Sequence, residues 1–468
     1  MVSREIGEQE HSGQAAPGGA RHQRRLGARP VRAIRNWSRT HSCRPLRLQR
    51  IRAVDELAEA LEDAARSGDS VRVFGAGHSA NDIAMSDERL LDLRGLDKIR
   101  AIDFDRNEVE VEAGVSLRAL SDILERHGLA LPNLGSISDQ TVAGALATGT
   151  HGTGAAFGVL STGISELEML TVDGCLKRAN ATREPDLFAA GRLSLGALGV
   201  HTAFRLKVTP AFDLRVEEGP ITLEVALDES WWSSADHCRI WYLPYVEQAW
   251  GWRAFRTEPA ANREKSRASL SLRMRERVFG YHAYQAALWA ASLRPSLLPA
   301  VNRAYAQAFL ARGRGSSGRS QEKLTLDCLF RQRVCEWAVP AHCARDAALG
   351  VRALVESHGF RAHLPIEIRF TAGDDIWLSP AFGGARCWIG AIAYLPWGRD
   401  SDWTPWFDAF GKHMAAFEGR PHWAKYFKTS PASLRRLYPR WDDFRRLRRR
   451  LDPENRLRNA FTERTLEA

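Results

Sequence analysis

The chain has 468 residues, of which 44% are hydrophobic and 26% charged, and its formal net charge is +10. This length and composition predict a large apolar core divided among two or three domains, at about 150 residues per domain. The seven cysteines are scattered and never spaced CxxC, which argues against a disulfide framework or a structural zinc site and favours a reducing compartment.

The positive charge is concentrated at the two ends of the chain. Six arginines lie between residues 21 and 35, and five lie within Arg445–Arg450. Such runs either attract nucleic acid or an acidic membrane surface, or form a disordered tail and a solvated helix face. No zinc-finger, RNP-like or basic-zipper pattern is present, so no nucleic-acid partner is predicted. The N-terminus lacks the apolar segment of a signal peptide, which predicts a cytoplasmic protein.

The first half of the ordered chain mixes helices and strands. Residues 1–35 have little apolar periodicity and predict a disordered tail. Helical spacing after the cap-like Asp55 predicts a helix over 54–66, and a strand over 71–74 follows. Further strands are predicted at 90–93, 99–104, 109–112, 164–172 and 204–208, with helices over 117–127 and from Pro185. The irregular order favours an α+β fold over a doubly wound sheet.

The composition changes after Pro210, where tryptophans cluster. Residues 278–311 have helical spacing, and their apolar run is too short to cross a bilayer, which takes about 20 residues. Packed helices are the first interpretation, and attachment to a membrane surface is the alternative. Gly313–Ser320 reads as a flexible loop, strands are predicted at 323–330, 364–370 and 388–394, and the C-terminal part reads as basic helices.

Two glycine-rich segments are candidates for binding a cofactor. Gly75 and Gly77 follow a strand, but Ala80 replaces the third glycine of a dinucleotide-binding motif. Residues 141–154 contain four glycines and four threonines, which let a backbone approach phosphate oxygens closely. No lysine stands where a P-loop requires one, so the segment is not a P-loop. Taken by itself, the segment has a glycine-rich surface loop as its alternative interpretation.

Five motifs in a fixed order point to one family. They are Gly75-Ala76-Gly77-His78-Ser79, Glu112-Ala113-Gly114-Val115, Leu134-Gly135-Ser136, Gly149-Thr150-His151-Gly152-Thr153-Gly154 and Leu195-Gly196-Ala197-Leu198-Gly199-Val200. The series resembles the FAD-binding domain of the vanillyl-alcohol-oxidase (PCMH) flavoproteins, and within them the sugar-1,4-lactone oxidases, from about residue 36 to residue 459. Alditol oxidases are similar too.

The resemblance implies both an architecture and a set of cofactor contacts. It implies a PCMH-type FAD-binding domain of two subdomains over 36–212 and an α+β cap domain over 213–468, whose C-terminal segment packs back toward the FAD domain. The implied FAD-binding residues are Gly75, Ala76, Gly77, His78, Ser79, Gly135, Ser136, Gly144, Thr148, Gly149, Thr150, His151, Gly152, Gly154, Leu198, Gly199 and Val200.

His78 matches the position that carries a covalent bond to the flavin in oxidases of this group. A neutral imidazole nitrogen has the free lone pair that a bond to the 8α carbon of a flavin would require. The resemblance therefore implies covalent FAD.

The substrate side is implied by two further motifs. Glu367 and Arg369 alternate onto one face of the predicted strand 364–370, and matching residues bind sugar hydroxyls. Lys425 follows His422-Trp423-Ala424, which resembles the family's HWGK signature with Ala in place of Gly. Ser136 matches a serine that contacts substrate in alditol oxidases. These four residues are the predicted catalytic set.

Two other family-like segments are interpreted as structural. Asp374-Asp375 reads as a loop that borders the cleft, and Glu336-Trp337 reads as packing of the cap. No histidine or third carboxylate adjoins the aspartates in sequence, so no metal site is predicted.

The implied reaction is oxidation of a secondary alcohol of an aldonolactone by hydride transfer to flavin N5. Gly135 stands where related dehydrogenases carry alanine beside the flavin, which favours reoxidation by O2 with release of H2O2. A dehydrogenase that reduces a cytochrome or a quinone, an alditol oxidase, and a non-catalytic FAD protein are the alternatives.

Overall fold

A computed structural model describes residues 33–260, 282–326, 330–360, 365–400 and 402–467. Residues 1–32 of the predicted disordered tail lie outside these ranges. The prediction is wrong for its last residues, because Ile34–Arg35 form strand β1, which pairs with β2 (Ser42–Cys43). Mixed helices and sheets confirm the predicted α+β class.

Two sheets occupy the N-terminal part of the chain. The first is parallel, in the order β3-β5-β4, and the second is antiparallel, in the order β10-β9-β11-β7-β6. The strands are β3 (Arg47–Arg50), β4 (Val71–Phe74), β5 (Arg89–Asp92), β6 (Ile99–Asp103), β7 (Glu108–Glu112), β9 (Ile164–Leu170), β10 (Leu176–Asn180) and β11 (Val200–Lys207). A short ribbon joins β8 (Leu129–Ala130) to β12 (Thr209–Pro210).

Amphipathic helices cover these sheets. Helix α1 (Val54–Ser67) buries Leu57, Leu61 and two alanines, and helix α2 (Leu117–Arg126) ends before Gly128, whose φ is +70°. Asp55 is not the cap that the sequence predicts, since Ala53 is the N-cap and Asp55 lies in the first turn. Helices α3 (Val142–Ala147) and α4 (Pro185–Gly191) complete this part of the fold.

An eight-stranded antiparallel sheet dominates the rest of the molecule. Its order is β16-β13-β15-β14-β18-β19-β17-β20. The strands are β13 (Asp213–Ile221), β14 (His237–Tyr242), β15 (Ala249–Thr257), β16 (Arg314–Arg319), β17 (Gln332–Pro340), β18 (Ile366–Thr371), β19 (Arg386–Tyr394) and β20 (Arg420–Pro421). Successive side chains point to opposite faces. One face packs Ile368, Ile389 and Trp337 into an apolar core. The other face carries Glu367 and Arg369 together with Trp388, which belongs to the core of the N-terminal part.

The remaining helices flank this sheet. They are α5 (Leu223–Ala226), α6 (Glu229–Trp232), α7 (Tyr284–Leu293), α8 (Leu298–Phe309), α9 (Ser320–Leu324), α10 (Ala344–His358), α11 (Thr404–Ala415), α12 (Pro431–Leu437), α13 (Trp441–Leu451) and α14 (Ala460–Leu466). Across the described ranges, no helix is both long and apolar enough to cross a membrane. The described cysteines are all free thiols, and Cys328 lies outside the described residues.

Two predicted elements are wrong. Most of the segment Gly313–Ser320 is the strand β16 rather than a loop, because its backbone pairs with β13 from Glu218 to Asp213 and compensates for a sequence of low strand propensity. The prediction of a strand at 323–330 is wrong for its first residues, because Lys323 and Leu324 belong to helix α9, which packs against β13 and β16. Residues 327–329 lie outside the described ranges.

The C-terminal segment contacts the N-terminal sheets directly. The amide of Val71 donates to the carbonyl of Arg456 at 2.8 Å, and Asn459 donates to three carbonyls between Asp82 and Met85. Apolar residues of α13 and α14, including Phe444 and Phe461, belong to the same core as α1 and α2.

Candidate active site

A cleft of about 820 Å³ opens between the two N-terminal sheets. The turn that follows β4, the first turn of α3 and the segment that enters β11 form its walls. From the predicted set, its lining contains Gly75, Ala76, Gly77, His78, Ser79, Gly144, Thr148, Gly199 and Val200. The motifs at 75–79, 141–148 and 195–200, which are distant in sequence, therefore meet in one cleft.

The glycines of the turn at 75–79 are required by the space available. A Cβ on Gly75 would lie 2.4 Å from Oγ1 of Thr141, and Gly77 has a φ of +70°. Thr141 uses the same hydroxyl to cap α3, because Oγ1 accepts from the amide of Gly144 at 3.3 Å. The backbone therefore approaches the helix N-terminus closely, which is the arrangement that binds phosphate groups.

His78 lies in this cleft with an unused ring nitrogen. Its Nδ1 is buried and has no hydrogen-bond partner among the described residues, and its ring stacks on Trp37 at 6.0 Å between centroids. Burial lowers the pKa of His78 against the opposing charge of Asp139, so the imidazole is neutral at pH 7. A neutral, unpartnered imidazole in a glycine-walled cleft fits a flavin nucleotide.

The other predicted flavin-binding residues lie elsewhere. Leu198 is fully buried in the core behind Gly199. The loop 149–154 runs from α3 to the large sheet, where the amide of Gly154 donates to the carbonyl of Phe370 at 2.9 Å. This loop and Gly135 do not line the 820 Å³ cleft. Sequence reasoning missed Arg72, Gln140 and His201, which do line it; Arg72 looked like an ordinary strand residue.

The polar face of the eight-stranded sheet carries the predicted substrate residues. Glu367 lies opposite Trp241, and Arg369 lies opposite Arg239, on adjacent strands. Arg369 forms an ion pair of 2.6 Å with Glu367 and donates to Oγ of Ser136 at 2.5 Å. The structure thus brings together three of the four predicted catalytic residues.

The carboxylate of Glu367 is held ionised. Burial raises its pKa, but Arg369 and Arg239 outweigh burial and leave the pKa below its ordinary value. Nε1 of Trp241 donates to Oε1 at 3.0 Å. Glu367 therefore presents a fixed negative charge and acceptor oxygens, which suits the binding of hydroxyl groups.

Arg239 is a functional candidate that sequence reasoning missed. Its side chain is 1% exposed, its Nη2 donates to the carbonyl of Leu324 at 2.7 Å, and Nε and Nη1 have no hydrogen-bond partner among the described residues. The guanidinium also lies 4.7 Å from the ring of Trp252. Arg239 is a candidate because it lies directly opposite Arg369 on the neighbouring strand. This position follows from the strand register, which the sequence alone does not show.

Glu336 has specific charged partners that the interpretation as cap packing did not include, whereas its neighbour Trp337 does pack in the apolar core of the large sheet. Its Oε1 lies 3.2 Å from Nε2 of His151, and its Oε2 lies 3.8 Å from Nζ of Lys425. Burial raises the pKa of Glu336, but His151 and Lys425 together hold it well below its ordinary value. Glu336 is therefore the anion that joins the loop 149–154 to Lys425.

The cluster of His151, Glu336 and His422 has the composition of a metal site, with ligand atoms within 4.8 Å of one another. Its hydrogen bonds favour a different interpretation. Nδ1 of His422 accepts from the amide of Ala424 at 3.1 Å, so the neutral ring carries its proton on Nε2 and offers no free lone pair. A metal ligand needs that lone pair. His151 and Glu336 form a hydrogen-bonded pair, and His422 is bound to the backbone of its own segment.

The segment around Lys425 is tied to the flavin-side turn. Nδ2 of Asn81 donates to the carbonyls of Trp423 and Lys425, and the amide of Ala80 donates to the carbonyl of Ala424. Ala424 does not have a left-handed backbone, so alanine fits where the related signature has glycine. These bonds hold Lys425 next to the 75–79 turn.

Family models match most of the chain. An FAD binding domain matches residues 45–180, and the D-arabinono-1,4-lactone oxidase model matches residues 204–465. The chain belongs to the sugar-1,4-lactone oxidase family of PCMH-type FAD flavoproteins. The predicted family is thereby confirmed, and with it FAD as the cofactor of the fold.

Curated relatives of this lactone oxidase family member include both oxidases and a dehydrogenase. The chain is 33% identical to L-gulonolactone oxidase of Mus musculus over 92% of its length and 97% of the relative. It is 32% identical to L-gulono-1,4-lactone dehydrogenase of Mycobacterium tuberculosis (92% and 98%) and 28% identical to D-arabinono-1,4-lactone oxidase of Kluyveromyces lactis (86% and 85%). Among solved structures, cholesterol oxidase from B. sterolicum aligns with a TM-score of 0.75 at 16% identity over 93% of this chain and 96% of that chain, which shows a shared fold.

Proposed function

We propose that this protein is an FAD-dependent oxidase of sugar-1,4-lactones, with Glu367, Arg369, Ser136 and Lys425 as its substrate-binding residues. The observation that carries the proposal is the ion-paired cluster of Glu367, Arg369 and Ser136 on the polar face of the large sheet. A lactone ring with several hydroxyls matches such a set of charged donors and acceptors. The family's relatives act on lactones of this kind, as their names state.

The flavin, when bound, supplies the two-electron acceptor, and the protein supplies orientation and electrostatics. Glu367 accepts hydrogen bonds from substrate hydroxyls, and Arg369 donates to ring or hydroxyl oxygens. Lys425 adds a cation whose position is fixed through Glu336 and Asn81. Fixing the polyol against one face in this way lowers the barrier by positioning. The hydroxyl proton leaves to a cleft base or to water.

Turnover with a panel of substrates tests this function. We expect activity with gulono-, galactono- or arabinono-1,4-lactone that exceeds activity with xylitol and sorbitol. Preference for the open-chain alditols would replace the lactone proposal with an alditol oxidase, the second candidate, which rests on the resemblance of Ser136 to a substrate-contacting serine of those enzymes. Absence of turnover with both classes would contradict the assignment.

We also propose that His78 holds the flavin covalently. The unpartnered Nδ1 and the lowered pKa of His78 support this bond. Wild-type protein should keep its yellow colour and in-gel fluorescence after acid denaturation, and His78→Ala should release all flavin to the supernatant. His201 is a matched control, because it borders the same cleft with an unpartnered, buried Nε2. His201→Ala should keep the flavin attached; loss of flavin from the wild type would refute the bond.

O2 is the proposed electron acceptor, and Gly135 is the supporting residue. A Cβ at this position would lie 2.8 Å from Cγ2 of Thr150 and 3.3 Å from the carbonyl of His151. Gly135→Ala should therefore slow reoxidation of the reduced enzyme by O2 at least about tenfold, measured by stopped-flow absorbance. The double variant Gly135→Ala, Thr150→Ser lacks the methyl group that the new Cβ would meet. If its reoxidation is still slow, the alanine obstructs oxygen directly; if the rate recovers, the single variant acts by distorting the loop. Reoxidation of the wild type over minutes would favour the dehydrogenase alternative instead.

Peripheral membrane attachment is proposed for an exposed apolar patch. Trp397 is 60% exposed, Leu293 is 50% exposed, and Leu297 and Trp289 adjoin them at 40% and 37%. The rings of Trp289 and Trp397 lie 5.8 Å apart. Exposed tryptophans of this kind favour membrane–water interfaces. Wild-type protein should co-sediment with phosphatidylcholine–phosphatidylserine vesicles, and Trp397→Ser should weaken this, whereas Phe104→Ser at a separate exposed site should not. Equal sedimentation of both variants would contradict the proposal.

A further inference from the structure

A second cleft, open to solvent and enclosing about 1840 Å³, lies at the edge of the eight-stranded sheet where β20 pairs with β17. Helix α11 and the chain from Tyr426 to Pro439 form its other walls. It shares no lining residue with the flavin cleft. None of the proposed substrate residues borders it.

Two arginines stand on one face of the sheet in this cleft. Arg386 lies opposite Pro340, and Arg420 lies opposite Ala338. Because Ala338 and Pro340 are two residues apart on β17, the arginine side chains point to the same side. Each arginine is only 8% exposed.

Neither guanidinium forms an ion pair with a carboxylate among the described residues. Arg420 donates to the carbonyls of Pro380 and Phe382 at 3.2 and 2.7 Å. Arg386 has one long contact, 3.5 Å from Nη2 to the carbonyl of Phe382, and its buried Nε has no partner in the described part of the chain. Burial and the neighbouring Arg420 lower the pKa of Arg386 to about 10, so it stays charged at neutral pH.

The cleft as a whole carries excess positive charge. Five basic and two acidic side chains line it. One acid, Asp408, is already paired with Lys428 at 2.8 Å. Asp374 and Glu418 act on both arginines only from beyond ion-pair distance. Bonding to the 380–382 loop accounts for Arg420, but the buried Nε of Arg386 still lacks a partner in the described part of the chain, which is costly.

We infer that Arg386 and Arg420 form a binding site for a phosphate- or carboxylate-bearing small molecule, separate from the flavin and lactone sites. Adjacent guanidinium groups match the paired oxygens of such an anion. Phe427 and Leu437, which are only partly buried, line the same cleft and offer an apolar surface to the rest of the ligand. The segment that contains His422 and Lys425 follows directly after strand β20. A ligand bound to Arg420 would therefore restrict the motion of that segment.

Calorimetric titration of the FAD-loaded enzyme tests this inference, because bound FAD keeps the probes out of the flavin cleft. The probes are inorganic phosphate, for a free anion, and dihexanoyl phosphatidic acid, for a lipid headgroup, with sodium chloride as the ionic-strength control. We expect one or both probes to bind, and Arg386→Gln to weaken binding at least about tenfold. Arg386→Lys should retain part of the affinity. Arg106→Gln is the matched control, because Arg106 is 66% exposed in a distant turn.

Two results would overturn the inference. One is absence of binding by either probe below about 10 mM. The other is equal binding by Arg386→Gln and the wild type. Should Arg386→Gln fail to fold, modification of the wild type with phenylglyoxal decides: phosphate should protect Arg386, and a protection no greater than that by chloride would refute the site.

Discussion

Replacing Glu367 with glutamine should lower kcat/KM for an aldonolactone about 10³-fold while the flavin spectrum stays unchanged. The substitution keeps the shape of the side chain but removes the charge that Arg369 and Arg239 compensate. Two buried guanidinium groups then lose their counter-charge, and the substrate hydroxyls lose their strongest acceptor. Steady-state kinetics over a range of lactone concentrations measure the effect.

The chain contains a matched control for this variant. Glu218 stands on the same sheet, accepts from Nε1 of Trp250 at 3.3 Å and pairs with Arg314. It therefore has the same kinds of neighbour as Glu367, but it lies on β13, with β15 and β14 between it and β18. Glu218→Gln should change kcat/KM less than about tenfold, because Glu218 forms no ion pair with Arg239 or Arg369 and acts on Arg239 only as a more distant charge. If Glu367→Gln behaved like Glu218→Gln, Glu367 would have no role in substrate binding.

Replacing Gly114 with alanine should destabilise the flavin-binding half by about 3 kcal/mol or more and deplete the protein of FAD. A Cβ at Gly114 would lie 1.9 Å from the carbonyl oxygen of Leu93 and 2.8 Å from that of Leu96. Both are backbone atoms in a turn that the amide of Gly114 itself holds, at 2.8 Å from the carbonyl of Leu96. The turn cannot yield without breaking that bond.

Denaturant unfolding followed by tryptophan fluorescence, together with the ratio of flavin to protein absorbance, measures this effect. Gly163→Ala is the matched control, since a Cβ at Gly163 would meet no described atom within 4 Å and the backbone there is not left-handed. We expect Gly163→Ala to leave the midpoint and FAD content unchanged. Equal midpoints for both variants would show that the close approach at Gly114 does not limit stability.

The sequence predicted the elements whose signals are local. Helices α1 and α2 have apolar spacing within a few turns, and alternation around Glu367 and Arg369 placed both on one face of β18. The family motifs predicted the turn at 75–79. Local patterns of this kind act over ten or so residues, so they are visible in one dimension.

The parts that could not be predicted depend on contacts between distant segments. Glu336 lies 185 residues from His151 in sequence, and within β17 it resembled any half-exposed acid. Arg239 faces Arg369 only because β14 and β18 are neighbours in one register. Strand β16 exists through pairing with β13 despite its glycines and serines. Strand order and register are global properties, which a periodicity cannot reveal.

We infer that the motifs that lie in a fixed order along the chain form a flavin-dependent site for sugar lactones. Anaerobic stopped-flow mixing of the FAD-loaded protein with L-gulono-1,4-lactone or D-arabinono-1,4-lactone tests it most directly. We predict full bleaching of the oxidised flavin band, at a rate that saturates with lactone concentration and falls about 10³-fold in Glu367→Gln. A flavin band that no aldonolactone bleaches in the wild-type protein would contradict the account.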